Sequence, residues 1–177
     1  MVRKKYLASV GIAFSEKKDL QKLREYAAQG WIVKRYKRMG YELEEGQRED
    51  VIFSIDVNRL AKGEEEEYFA MFLAGGWEHV CSSYNTHLFK AKPGTPPIYT
   101  DKESEVDKFN RLLTSITPLS LYSLIALVIG TVGAWMTSGL LENMFRTIFY
   151  IALMVAVPCV MMFVTLNMRK VLLMRKA

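Results

Sequence analysis

The sequence predicts an α+β domain followed by a two-helix transmembrane hairpin, and three observations carry that prediction. Ala-x-Gly-Trp occurs twice, at Ala28–Trp31 and Ala74–Trp77, each time between a stretch of helical spacing and one of strand-like alternation. The two tryptophans stand 46 residues apart, and the same shift relates other segments of the chain. Charge then disappears: the 30 residues between Arg111 and Glu142 carry none, nor do the 22 between Arg146 and Arg169. A helix needs about 20 apolar residues to cross a bilayer, so both runs suffice.

The elements follow in order. Tyr6–Val10 shifts onto Ile52–Asp56, both strand-like, and Leu23–Ala27 shifts onto Phe69–Leu73, both helix-like. Tyr41 and Leu43 shift onto His87 and Phe89, pairs two apart and therefore on one strand face. Each copy, about 5–46 and 51–92, reads strand, helix, Gly-Trp, strand, turn, strand, as an internal duplication would. The first helix is expected to start after Ser15 as its N-cap, with Leu20, Leu23 and Tyr26–Ala27 at helical spacing. The second opens on Glu64–Glu67 and presents Phe69, Phe72 and Leu73. Four successive carboxylates complement a helix dipole there, whereas a calcium loop spaces its ligands around a turn glycine.

Gly30 and Gly76 supply the left-handed stops that residues with a Cβ resist. Trp31 and Trp77, as the first residues of returning strands, are expected to cover the helix ends and seal the core. Duplicated units with helices on one face of an antiparallel sheet give a ferredoxin-like β-α-β-β-α-β core enlarged by hairpin strands. The basic, apolar start of the chain imitates a secretory leader, but Tyr6–Ile12 is expected to be a strand paired inside this fold.

The domain is expected to occupy 1–92, followed by a linker and juxtamembrane helix at 93–117. The linker holds three of the five prolines, and Thr100-x-x-Glu103 matches a capping box. Spans are expected at 118–137, after a break or first turn at Thr117-Pro118, and at 147–168, with Pro158 as a kink. Ala126, Gly130, Ala134 and Ser138 form a small-residue ladder suited to close helix packing, within the hairpin or between copies, and Ala152 and Ala156 offer a matching patch. Arg169, Lys170, Arg175 and Lys176 make 169–177 a basic tail, against Arg146 alone in the inter-helix loop. Basic residues stay inside, so both termini are expected in the cytoplasm at the cell membrane.

The pI near 9.1 invites a nucleic-acid reading that the charge map removes. Residues 1–111 hold 19 Lys and Arg against 18 Asp and Glu, so most of the net +5 is the tail. Within the domain, Lys34, Arg35, Lys37 and Arg38 form one concentrated basic stretch. The reading preferred is cross-strand pairing with the acidic Tyr41–Glu45 segment; lipid or partner contact comes next, and RNA stacked on Tyr36 last. His79, Cys81 and His87 are close in sequence, and His79 and Cys81 are expected to share a strand face. With one cysteine in the domain they fall short of a zinc set, and nothing orients a histidine for a Cys–His nucleophile. No phosphate loop, nucleophile elbow or two-histidine helix occurs. No cofactor, no metal and no catalytic residue is expected.

The Gly-Trp after a short helix, the DVIFSIDVNR strand, the EEEEYFAMFLAGGWEHV helix and the following IYTDKESEVDKF resemble a bacterial family described only as a domain of unknown function. Its members are often encoded beside PadR-type transcriptional regulators and commonly carry C-terminal membrane helices. The resemblance covers roughly residues 5–110 and brings no catalytic residues with it. It implies a membrane-anchored cytoplasmic sensory or regulatory accessory module acting by protein contact, with a PadR-like regulator as partner. The alternative is an accessory or immunity-type membrane protein working through its hairpin. The bilayer and a protein partner are the expected contacts, with homo-oligomers through the membrane helices open and direct nucleic-acid binding not expected.

Overall fold

A computed structural model describes residues 3–99 and 102–175. Two compact units divide the chain at Lys108 and Phe109. The first contains β1 (Lys4–Ala8), α1 (Ile12–Ala28), β2 (Trp31–Lys37), β3 (Gly40–Glu45), β4 (Ile52–Val57), α2 (Glu65–Ala74), β5 (Glu78–Ser83), β6 (Thr86–Ala91) and the start of α3 (Lys102–Met136). The second holds the rest of α3 and α4 (Leu140–Arg175).

The class is the one read from the sequence, α+β with antiparallel pairing, followed by two long apolar helices. The strands, however, form two sheets of three, ordered β1-β3-β2 and β4-β6-β5, in place of one sheet with a ferredoxin-like core. Hairpin closure explains this. Two-residue turns pair β2 with β3 and β5 with β6. The first strand of each unit then takes the free edge of its own hairpin. Local loops close at lower entropic cost than pairings between the halves, so each half completes its own sheet.

The sheets have distinct faces. In the first, Tyr41 and Leu43 of β3 are buried beside Leu7 and Val33, while Glu42 and Glu44 point the other way among lysines and an arginine. In the second, Ile55, Leu88 and Cys81 occupy one face and Phe89, His79, His87 and Asp56 the other. Helix α1 packs against both β2 and β4 through a buried stripe that includes Ala13, Leu23 and Ala27. Helix α2 covers the other face of the second sheet, where Trp77, Phe89 and Ala91 form a core with Tyr68, Phe69, Phe72 and Ile98.

Several local expectations shift. Helix α1 begins three residues before Ser15, with Gly11 as N-cap; Ser15 lies in the first turn and donates to Asp19 at 2.7 Å. Strand β1 stops at Ala8 and does not reach Ile12. Leu73 is exposed and Tyr68 takes its inward place on α2. Helix α3 runs through Pro118 without a break, and α4 stays helical to Arg175, so the basic tail is largely the last turns of a helix. Thr100 of the capping box lies outside the described residues.

The 93–99 segment is a strap held to the domain. The Trp77 indole donates to the Pro96 carbonyl at 2.8 Å, Ile98 joins the α2 core, and the Tyr99 hydroxyl donates to Asp56. Lys108, buried on the first turns of α3, pairs with Glu16 of α1 and lies 5.2 Å from the Tyr99 ring. The compact unit therefore reaches Lys108, beyond residue 92 where the sequence ended it.

Candidate functional site

The two Gly-Trp motifs share a backbone but not an environment. Gly30 and Gly76 have φ of 87° and 85°, the left-handed region that favours glycine at a helix stop. Trp77 is only 4% exposed and sits between α2 and the strap. Trp31 is half-buried, with the Lys5 ammonium 5.1 Å from its ring and 4.5 Å from that of Tyr26. Trp77 closes a core, whereas Trp31 is half-solvated beneath the Lys5 ammonium. The 46-residue offset extends to the ladders: each pairing slips between Val33 and Arg35 in β2 and between His79 and Cys81 in β5.

That slip separates the residues the sequence placed together. The bulge at Val80 sets His79 opposite Phe89 and Cys81 opposite Leu88, on opposite faces of the sheet. Cys81 is buried against β2, and desolvation pushes its thiol up to about 12, so it is an inert core group. On the α2 side the bulge brings in Ser82, which the sequence did not single out. Its hydroxyl lies 2.7 Å from His79 Nε2 and 2.7 Å from His87 Nδ1, and His87 Nε2 is 3.0 Å from the Asn58 carbonyl. A carbonyl only accepts, so His87 Nε2 carries the proton; Ser82 donates to His87 and accepts from His79.

Beside this chain, the buried Asp56 accepts hydrogen bonds from Tyr68, Tyr99 and the Val57 amide. His79 stacks on Phe69 with centroids 3.9 Å apart, and burial together with the neighbouring His87 lowers its pKa. Each of these polar groups has a partner within the domain. The arrangement ties β4, α2, the β5–β6 hairpin and the strap into one network. Among the described residues, no three His, Cys, Asp or Glu side chains are grouped as a metal site requires.

The basic strand is tied down by its neighbours. Glu42 receives Arg35 at 3.0 Å, Lys37 at 3.1 Å and Lys4 at 3.5 Å, while Glu44 receives Lys4 at 3.3 Å and Lys34 at 3.8 Å. Hydrogen bonds from Arg35 and Lys37 hold the Glu42 carboxyl down at about 2. Cross-strand pairing thus engages Lys34, Arg35 and Lys37. Arg38 stands apart from these pairs in the β2–β3 turn, where its carbonyl accepts from the Tyr6 hydroxyl at 2.5 Å.

At this end of the domain three loops surround a cavity of about 300 Å³. Val10 comes from the β1–α1 loop, Met39 from the β2–β3 turn and Tyr84 from the β5–β6 turn. They are 70%, 77% and 100% exposed. Met39 and Tyr84 hold positive φ of 51° and 53°, where a bulky side chain is strained. Tyr36 also lines the cavity, its ring 5.1 Å from that of Tyr41, and burial raises its pKa.

In the second unit α3 and α4 run antiparallel, since Gly130 meets Phe149 while Gly133 meets Phe145. A Cβ at Gly130 would lie 2.9 Å from the Phe149 amide nitrogen, so the two backbones touch there. Ala126 and Ala134 are half-buried, and Ala152 and Ala156 are buried on α4. Ser138 falls past the end of α3 and is exposed, because the helix stops at Met136. Gly133, which the four-residue spacing skipped, packs against the Phe145 ring.

A family model described as "Protein of unknown function (DUF2812)" matches residues 15–121. The chain belongs to the DUF2812 family. The match runs from the first turn of α1 through the strap into α3, so it takes in β2 to β6 and the polar network under α2 but leaves out β1. No curated protein and no solved structure matches the chain.

For this DUF2812 protein, Ser82, Asp56, Tyr68 and Tyr99 were the residues sequence reasoning passed over. The bulge that turns Ser82 towards the histidines carries no composition signal. The cavity end also went unread, because Val10, Met39 and Tyr84 lie far apart along the chain and meet only in the fold.

Proposed function

We propose that this DUF2812 protein is a two-span protein of the cell membrane with both termini in the cytoplasm, and that its α+β domain is a sensory or regulatory accessory module. Two helices long and apolar enough to cross a membrane support the anchor. The basic residues Arg169, Lys170 and Arg175 at the end of α4 support the orientation. The observation that carries the regulatory reading is the strap. Through Trp77, Tyr99 and Lys108 it joins the α2 core and α1 to the helix that enters the apolar stretch. A bound partner that displaces α2 therefore has a covalent and hydrogen-bonded route to α3. The near-duplicate order of elements in the two halves supports an origin by internal duplication.

The partner class that the sequence resemblance suggests is a PadR-type regulator. Deleting residues 1–108 while keeping the hairpin abolishes the transcriptional response on this reading. A hairpin that retains the full activity would favour the alternative, a protein acting through its membrane helices. Orientation is tested by reporters: one near Asn143 reads outside and one after Ala177 reads inside. An outside reading at Ala177 overturns the topology.

A further inference from the structure

We infer that the loop end of the domain, with Val10, Met39 and Tyr84 at its tip, docks into the headgroup layer of the bilayer to which the chain is anchored. This inference rests on the two-span reading above. Single exposed apolar residues are ordinary on a protein surface; three that converge from separate loops around one cavity are not. Met39 and Tyr84 hold strained left-handed backbone that glycine would adopt freely. Both side chains are largely exposed, so a contact outside the domain accounts for the retained strain.

The position of this end selects lipid as the occupant. Gly11 and Ile12 at the start of α1 line the same cavity, and Glu16, one turn further on, pairs with Lys108. Lys108 is the last residue of the domain. The uncharged stretch of α3 opens at Leu112, four residues on and about 6 Å along a helix. The apolar tips therefore lie at the end from which the chain leaves for the membrane. Their chemistry matches an interface: a tyrosine with an apolar ring and a polar tip, valine and methionine to enter the acyl boundary, and Arg38 next to Met39, outside the cross-strand pairs, for anionic headgroups. No carboxylate lines the cavity among the described residues. The lipid contact considered for the basic strand thus moves to the turn beside it.

The test uses the full chain with Cys81→Ala and Cys159→Ala, reconstituted in mixed phosphatidylcholine and phosphatidylglycerol liposomes. Single cysteines introduced as Met39→Cys or Tyr84→Cys carry an environment-sensitive fluorophore, with Lys62→Cys as an exposed control and Ile129→Cys on α3 as a membrane control. Circular dichroism melting checks that each variant is folded. Both tip labels should lose fluorescence to a headgroup-proximal spin-labelled lipid and be shielded from aqueous iodide, while Lys62 responds to iodide alone. Tip labels open to iodide overturn the proposal. So do tip labels shielded from iodide yet untouched by the lipid quencher, which would mark a protein contact such as a second copy. If the Ile129 label escapes quenching by a second lipid spin-labelled deep in its acyl chain, the two-span reading itself fails, an outcome distinct from failure of the docking. As a second variant, Tyr84→Asp with Met39→Asp should expose a label at Val10→Cys to iodide, and a label that stays shielded also refutes the docking.

Discussion

Replacing Gly130 by leucine should open the helical hairpin without preventing insertion. A Cβ there would stand 2.9 Å from Phe149 N and 3.0 Å from Phe149 Cα, against the roughly 3.5–4.0 Å of an ordinary carbon contact. The neighbour is backbone and cannot rotate away, so the helices must separate by about 0.5–1 Å, which forfeits a quarter to a half of each contact's attraction. Overpacking of this kind costs about 1–3 kcal/mol, equivalent to roughly a 5- to 150-fold shift in the closed-to-open ratio. Lipid tails compete equally for apolar contacts, so no hydrophobic gain offsets the loss. Gly133→Ala provides the contrast. Its Cβ would stand 2.3 Å from Phe145 Cδ1, but a side-chain ring on a half-exposed position can turn aside. The assay is oxidative crosslinking of Ala126→Cys to Ala152→Cys, which line one groove between the helices, with the native cysteines replaced. Crosslinking should fall steeply for Gly130→Leu, moderately for Gly130→Ala and least for Gly133→Ala, and remain normal for the exposed Val128→Leu. Equal rates for Gly130→Leu and Val128→Leu would refute the close-packing argument.

Three further outcomes follow from the domain, each read on the full chain in detergent. Trp77→Ala should cost about 3–5 kcal/mol as a truncated core aromatic, and Trp31→Ala about 1–2 kcal/mol because its ring is half-solvated; equal losses in chemical denaturation would contradict their different burial. The Glu42 carboxyl is held at about 2, below its ordinary 4.5, so its contribution is full above pH 4.5 and drains away as pH falls towards 2. Tm should drop across that window, and Glu42→Gln should remove part of the slope; an unchanged slope would mean the three cations contribute nothing through it. Tyr84→Gly and Met39→Gly should each raise stability by about 0.5–1 kcal/mol by relieving positive φ, and a lower Tm in both would show that these side chains support the fold.

The sequence by itself determined what periodicity and composition encode. The left-handed stops at Gly30 and Gly76, the inward Tyr41 and Leu43 and the acidic start of α2 are set within a few residues of chain, and the two charge-free stretches are helical as their composition implied. The pairing of Lys34, Arg35 and Lys37 with the acidic strand was legible for the same reason, since a hairpin brings neighbours in sequence face to face. Tertiary structure decided the rest. The Val80 bulge inverted the face of Cys81 and turned Ser82 to the histidines, because register depends on the partner strand as well as on the strand's own alternation. The strap was invisible because a Pro-rich stretch reads as linker until a buried aspartate and an indole from distant elements claim its groups. The loop end with Val10, Met39 and Tyr84 exists only once three remote turns meet, and one-dimensional spacing holds no record of such a meeting.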